Sequence, residues 1–277
     1  ANLPSSVRRH GSQEMTNFQR HENFASQFIE PRHVDVWCPP GYDGSSSYPV
    51  IYMHDGQNLF APSLAYGGVD WGVVDAMTRL IENGKRGAII VGIWNAGIRW
   101  REYMPQKPYD LFSSSMKELF LQRAEGEPIS DRYLKFIVEE LKPFIDSTYK
   151  TMPAQEDTFI MGSSMGGLIS LYAISEYPNI FGGAGCVSTH WSAGGNELVD
   201  AMASALPNPA AHKLYFDFGT ETLDAEYEPF QRNMDVYLRK AGYVENRNWL
   251  TLKFEGAKHS ERSWRERVEI PLAFLLG

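Results

Sequence analysis

The chain has 277 residues, 43% of them hydrophobic, enough to bury an extensive core. Its net charge of -8, from 26 basic and 34 acidic side chains, argues against a nucleic-acid surface as the main partner. Cys38 and Cys186 are the only cysteines, which excludes a disulfide framework and a cysteine-rich zinc site; both lie in apolar strand-like runs and read as buried thiols.

No apolar run approaches the roughly 18 residues of a membrane span, so a soluble protein without a membrane partner is expected. The first residue, Ala1, fits either a removed signal peptide or a trimmed start, and the compartment stays open between cytoplasmic and periplasmic or secreted. No Pro/Gly/Ser-rich linker, charge block or internal repeat divides the middle. The expectation is one domain over 1–277, with 1–30 as a peripheral, polar N-terminal segment.

In chain order, His33 to Cys38 alternates like a strand and is stopped by Pro39-Pro40-Gly41. Tyr48 to Met53 and Ala88 to Ile93 are continuous apolar runs, as expected of parallel strands covered on both faces. Between them Val69 to Asn83 reads as a helix ending at Gly84. From Trp94 to Ile129 the chain is rich in aromatic and basic residues, and it reads as a long loop forming one wall of a cleft. A helix then starts at Ser130, read as its N-cap, with Leu134, Ile137, Val138, Leu141, Phe144 and Ile145 on one face and a kink at Pro143. Further strands are Thr158 to Met161, Gly183 to Ser188, Lys213 to Phe218 and Thr251 to Glu255. Helices are expected after Gly162 up to Pro178, around Glu226 to Ala241, and from Ser263 to Leu276. This alternation calls for an α/β fold, a mostly parallel sheet with helices on both faces.

One stretch carries chemistry. Gly162-Ser163-Ser164-Met165-Gly166 stands where a strand hands over to a helix, and it frames Ser164 between glycines two residues away on either side. That spacing suits a strained turn on which a serine oxygen is exposed and the strand and helix approach closely. Ser163 is out of register, because Met161 and Met165 occupy its glycine positions. A plain tight turn is the bland alternative; a phosphate loop would want a lysine where Leu168 stands.

A nucleophilic serine needs a base, an orienting acid and donors for the oxyanion formed on attack. Of seven histidines, His259 follows the last strand and precedes the last helix, the position that the order serine, acid, histidine requires. His10, His21, His33 and His212 read as structural; His54 and His190 end strands and are expected to line the pocket. The acid belongs in the loop after Lys213 to Phe218, where Asp224 is preferred to Glu221 on reach and the choice stays open. Asp217, inside the strand, reads as structural. For the oxyanion the candidates are the N–H groups of Met165 and of Gln57, in the loop His54-Asp55-Gly56-Gln57-Asn58-Leu59-Phe60. Trp94, Arg99, Arg101, Tyr103 and Trp191 join His54 and His190 as candidate substrate contacts, since arginine holds carboxylates and tryptophan stacks on rings.

With these residues, the chain resembles the "Putative esterase" family of α/β hydrolases, which includes enterochelin esterases, feruloyl esterases and mycolyltransferases. The likeness is carried by Ile51 to Phe60, Arg101-Glu102-Tyr103-Met104-Pro105, Met161 to Gly167 and Gly256-Ala257-Lys258-His259. It implies an α/β-hydrolase fold without a large lid domain, and the short segment from Thr189 to His212 fits an open cleft bordered by Trp191. It also implies Ser164 as nucleophile, His259 as base, Gln57 and Met165 as hole donors, and adds to the preference for Asp224. The expected activity is hydrolysis of a small carboxylic ester, aromatic acyl or siderophore-type, through an acyl-enzyme, with no metal or organic cofactor. An acyltransferase on the same triad and a non-catalytic carbohydrate- or ligand-binding module are the alternatives. Oligomeric state is open.

Overall fold

The computed structural model describes residues 18–277; His10 lies outside the described residues, as does most of the segment 1–30. Eight strands form one sheet: β1 Phe18–Phe24, β2 Arg32–Trp37, β3 Val50–His54, β4 Ile89–Ile93, β5 Thr158–Ser163, β6 Gly183–Val187, β7 Lys213–Gly219 and β8 Trp249–Phe254. Their spatial order is β1-β2-β4-β3-β5-β6-β7-β8. The first two pairings, β1 with β2 and β2 with β4, are antiparallel, and every later one is parallel. This is the α/β-hydrolase fold, with the mostly parallel sheet that the alternating elements predict.

The helices are α1 Val73–Glu82, α2 Arg99–Tyr103, α3 Gln106–Asp110, α4 Ser114–Ala124, α5 Ser130–Lys135, α6 Lys142–Thr148, α7 Met165–Glu176, α8 Gly195–Ala203, α9 Glu228–Ala241, α10 Glu261–Arg267 and α11 Glu269–Leu276. They cover both faces of the sheet because successive strand residues point to opposite sides. On β3, Val50 and Tyr52 enter a core shared with α5, α7, α8 and α9, while Ile51 and Met53 enter a second core under α1 and α11. Between β6 and β7 stand only a single helical turn and α8, and no large lid domain is inserted there.

The structure corrects the sequence reading in several places. Residues 94–129 are not one loop: α2, α3 and α4 fold there, the first two only five residues long and α4 burying Phe120 alone, so none shows an apolar period, and they bury Tyr103, Tyr109 and Phe120. Ser130 is the first helical residue rather than the cap, Ile129 being the N-cap, and the Ser130 hydroxyl is buried without a partner among the described residues. Pro143 is absorbed because the helix widens to a π-helix over Phe136–Leu141 just before it, and Pro143 then stands in the first turn of α6, where its missing N–H costs little. The last helix is two, broken at Val268 ahead of Pro271. Strand β1 shows no clean apolar alternation because it is an edge strand with a largely polar face. No helix among the described residues is long and apolar enough to cross a membrane.

Candidate active site

The parallel strands end on one edge of the sheet, and β3, β5, β7 and β8 deliver their following loops to a common cleft. At the end of β5 the chain turns into α7 through Ser164, whose backbone stands at φ 61°, ψ -122°, in a region non-glycine residues rarely occupy. The turn is possible because Gly162 and Gly166 touch: a side chain on Gly162 would meet the Gly166 backbone at 2.8 Å. The Ser164 amide is anchored to the Val187 carbonyl on β6 at 2.9 Å.

The Ser164 hydroxyl lies 3.0 Å from His259 Nε2, and His259 Nδ1 lies 2.6 Å from Asp224 Oδ1. Asp224 is buried, on the turn Thr222–Glu226 that follows β7; Glu221, the competing acid, is exposed and bonds Ala257 only through its backbone N–H. The other Asp224 oxygen accepts from the Gly219 N–H and from the Ser188 hydroxyl, each at 2.6 Å. Burial acts to raise the Asp224 pKa, but donors from His259, Ser188 and Gly219 outweigh it and hold the carboxyl below its ordinary value. Behind Ser188 lies an ion pair that neither composition nor spacing reveals. Arg267 binds Asp217 with two nitrogens at 2.9 and 3.0 Å and donates to the Ser188 oxygen at 2.8 Å. Trp264 donates to the same oxygen at 2.9 Å.

Across the cleft, the loop after β3 carries Asp55 in the left-handed region at φ 55° and then the tight turn Gly56–Asn58. Gly56 packs on the backbone of Gly92, where a Cβ would come within 2.5 Å of the Gly92 carbonyl carbon, so the loop lies flat on β4 and presents Gln57. The Gln57 side chain accepts from the Asn95 N–H at 3.1 Å. Asp55 is gripped by Arg99 at 2.8 and 2.7 Å and by the Asn95 amide at 2.8 Å, while Arg99 also reaches the Ser163 carbonyl at 3.1 Å. Burial works against the Asp55 charge, and Arg99 more than offsets it, leaving its pKa lowered. The cleft so enclosed has about 630 Å³. A larger hollow of about 730 Å³, at the opposite ends of the strands around Lys213 and Arg247, holds none of these groups.

A family model described as "Putative esterase" matches residues 25–270. The chain belongs to the Putative esterase family. A relative in Bacillus subtilis (strain 168), the uncharacterized protein YbbA, is 25% identical over 255 residues, covering 89% of this chain and 93% of its own. An IroE-like serine hydrolase from Shewanella oneidensis superposes with a TM-score of 0.69 at 18% identity, covering 94% of this chain and 79% of that one. A ferulic acid esterase from the anaerobic fungus Anaeromyces mucronatus gives 0.63 at 18% identity, covering 98% and 94%. The protein is an esterase.

Of the candidate substrate contacts in this esterase, only Arg99 lines the cleft beside Ser164, and it is already bound by Asp55. His54 is 1% exposed, with Nδ1 on the Tyr133 hydroxyl at 2.7 Å; Tyr103 is equally buried, its ring tilted against the imidazole at 5.3 Å. Trp191 is buried, its indole N–H on Gln231, and His190 bonds the Tyr227 hydroxyl and is mostly covered. Trp94 faces β2, donating to Asp35 under Arg20, and Arg101 donates to the Glu127 carbonyl on the far side of α2. Aromatic and basic type alone does not mark a cleft residue, because in a chain that buries many aromatics most such side chains are core. The walls come instead from Asn58, Leu64, Tyr66, Trp100, Glu261 and Trp264. Glu261 and Trp264 had a signal in the sequence, lying two and five residues beyond His259 on the helix that its loop opens.

Proposed function

We propose that this esterase hydrolyses carboxylic esters through an acyl-enzyme in which Ser164 is the nucleophile, His259 the general base and acid, and Asp224 the orienting carboxylate. The observation that carries the reading is the unbroken run of contacts from the Ser164 oxygen through both ring nitrogens of His259 to Asp224, at 3.0 and 2.6 Å. Ser164 attacks the ester carbonyl as its proton passes to His259 Nε2. The imidazolium, held by Asp224, then protonates the departing alcohol, and water repeats the steps in reverse.

For the oxyanion, the reading assigns the N–H groups of Met165 and Gln57. Met165 is the first residue of α7, so its N–H has no partner within the helix, and Gln57 stands in a tight turn pinned by Gly56 and Asn95. Nucleophile, base and donors are all protein groups, so the cycle calls for no metal or organic cofactor. The substrate we propose is an ester with an aromatic acyl part, of feruloyl or catecholate type. Trp100, Trp264 and the exposed Tyr66 offer rings around the cleft, and solved neighbours bear the names ferulic acid esterase and enterobactin esterase. Arg99, occupied by Asp55, is not free to hold a substrate carboxylate.

A fluorophosphonate probe followed by mass mapping tests the reading. Labelling at Ser164, with loss of label and of ester turnover in Ser164→Ala, is expected; turnover that survives the substitution would refute it. Adding alcohols during turnover and looking for transferred acyl groups separates hydrolysis from acyl transfer.

A further inference from the structure

The charges in the cleft do not cancel. Among its lining residues one guanidinium, Arg99, meets two carboxylates, Asp55 and Glu261. Asp55 takes both prongs of the Arg99 fork. Glu261, the first residue of α10, has no ion-pair partner among the described residues and no side-chain hydrogen bond beyond the one from its own backbone N–H, although it is partly buried and lines the same space as Ser164 and His259. Nearby Arg265 does not compensate, being bound to Asp70 at 2.6 Å and Asp75 at 3.0 Å. Burial pushes the Glu261 carboxyl above its ordinary value, and the Asp55 charge adds to this against the hydrogen bond from its own N–H and the weaker pull of His259 and Arg99. Above it, Tyr66 stands 80% exposed on the rim, and Trp100 already accepts a cation on one face, with the Arg123 guanidinium 4.9 Å from its ring centre.

Building on the ester-hydrolase reading above, we propose that Glu261 is a specificity residue that binds a cationic group of the substrate, so that the preferred esters carry an ammonium group and anionic esters are disfavoured. The carboxylate supplies the counter-charge in a space that Asp55 and Arg99 leave without a free cation, and the Tyr66 ring supplies an apolar face that tolerates a cation. Between the two aromatic classes proposed above, this favours feruloyl-type esters, which lack a negative charge on the ring, over catecholate ones that carry it, and it extends the range to aromatic esters bearing an ammonium group.

The test compares kcat/KM within two matched sets, each normalised to the hydroxide-catalysed rate. Benzoylcholine, its uncharged tert-butyl isostere and a carboxylate-bearing counterpart vary the charge on the alcohol half. Nitrophenyl esters of para-trimethylammonio-, para-tert-butyl- and para-carboxybenzoic acid vary it on the acyl half. In at least one set the cationic ester should exceed its neutral isostere by about tenfold at low salt, the anionic one should be poorest, and the spread should shrink as salt rises. Glu261→Gln should bring the cationic-to-neutral ratio close to one, and Glu261→Lys should invert it. Equal rates for cationic and neutral esters in both sets, or a ratio that survives Glu261→Gln, would overturn the proposal. Ser164→Ala distinguishes the two levels. If the neutral ester is cleaved by the native esterase and not by Ser164→Ala, a missing charge preference removes only the role of Glu261. If cleavage persists in Ser164→Ala, the hydrolase reading falls and this one with it.

Discussion

Two groups near Ser164, namely Ser188 and Asp224, show how much is decided by single protons. The Ser188 oxygen receives N–H bonds from Trp264 and Arg267, neither of which can accept, so its own proton is committed to Asp224. Ser188 therefore positions the acid that holds His259. Ser188→Ala should lower kcat by roughly tenfold, in line with the loss of one charge-assisted bond, and should cost about 1–3 kcal/mol of stability because two buried donors lose their acceptor. Steady-state kinetics and thermal unfolding on the same sample check both. Asp224→Asn should keep the geometry but hold His259 in the wrong tautomer, with kcat falling by about 10³–10⁴ and KM nearly unchanged. At this scale the glycine spacing around Ser164 was legible because it is local. The choice between Asp224 and Glu221 was not, since the two lie three residues apart on one loop and only the packing of that turn buries one and exposes the other.

Among the elements, the loops after β7 and β8 act as one unit. The N–H groups of Thr220 and Glu221 both donate to the Ala257 carbonyl at 3.0 Å, the Gly256 N–H donates to the Thr220 hydroxyl at 2.7 Å, and the His259 N–H donates to the Thr222 hydroxyl at 2.8 Å. This zipper sets the separation of Asp224 from His259. It depends on Gly219, where a methyl group would run into the Ala257 carbonyl. Gly219→Ala should lower kcat by about tenfold or more while Ser164 itself is untouched, because displacements near 1 Å carry penalties of up to about a hundredfold. A slower rate of fluorophosphonate labelling, with the fold preserved by circular dichroism, is the measurement. The buried apolar strands were readable because continuous apolar runs have few other uses. The helices of residues 99–124 were not, because α2 and α3 are too short for a period, α4 turns only Phe120 fully inward, and all three gain their stability from the core they cover.

For the whole molecule, buried histidines link stability to pH. Burial holds His54 at about 3, and burial together with the charges of His259 and Arg99 holds His190 at about 4, both below the ordinary value near 6.5. Each is neutral in the folded protein, so its contribution is complete above about pH 6.5 and is lost as the unfolded chain gains the proton on the way down to the folded value. Lowering the pH to about 5 should cost about 2 kcal/mol for each histidine, seen as a falling unfolding midpoint, and His54→Gln should flatten that slope. The pair Arg267–Asp217 gives a second check at this scale. Arg267→Met leaves buried carboxylates uncompensated and should cost about 3–5 kcal/mol in denaturant unfolding.

The sequence by itself determined the alternation of strands and helices, the strained turn at Ser164 and the loop that carries His259, because each is encoded within a few residues by hydrophobic pattern or backbone freedom. Only the tertiary structure decided which carboxylate meets that histidine, which arginine is already spent on a neighbouring aspartate, and which side chains wall the cleft. Those outcomes depend on distances between segments tens to hundreds of residues apart, such as Arg99 with Asp55 or Ser164 with His259, which close packing around the sheet sets and no local pattern records.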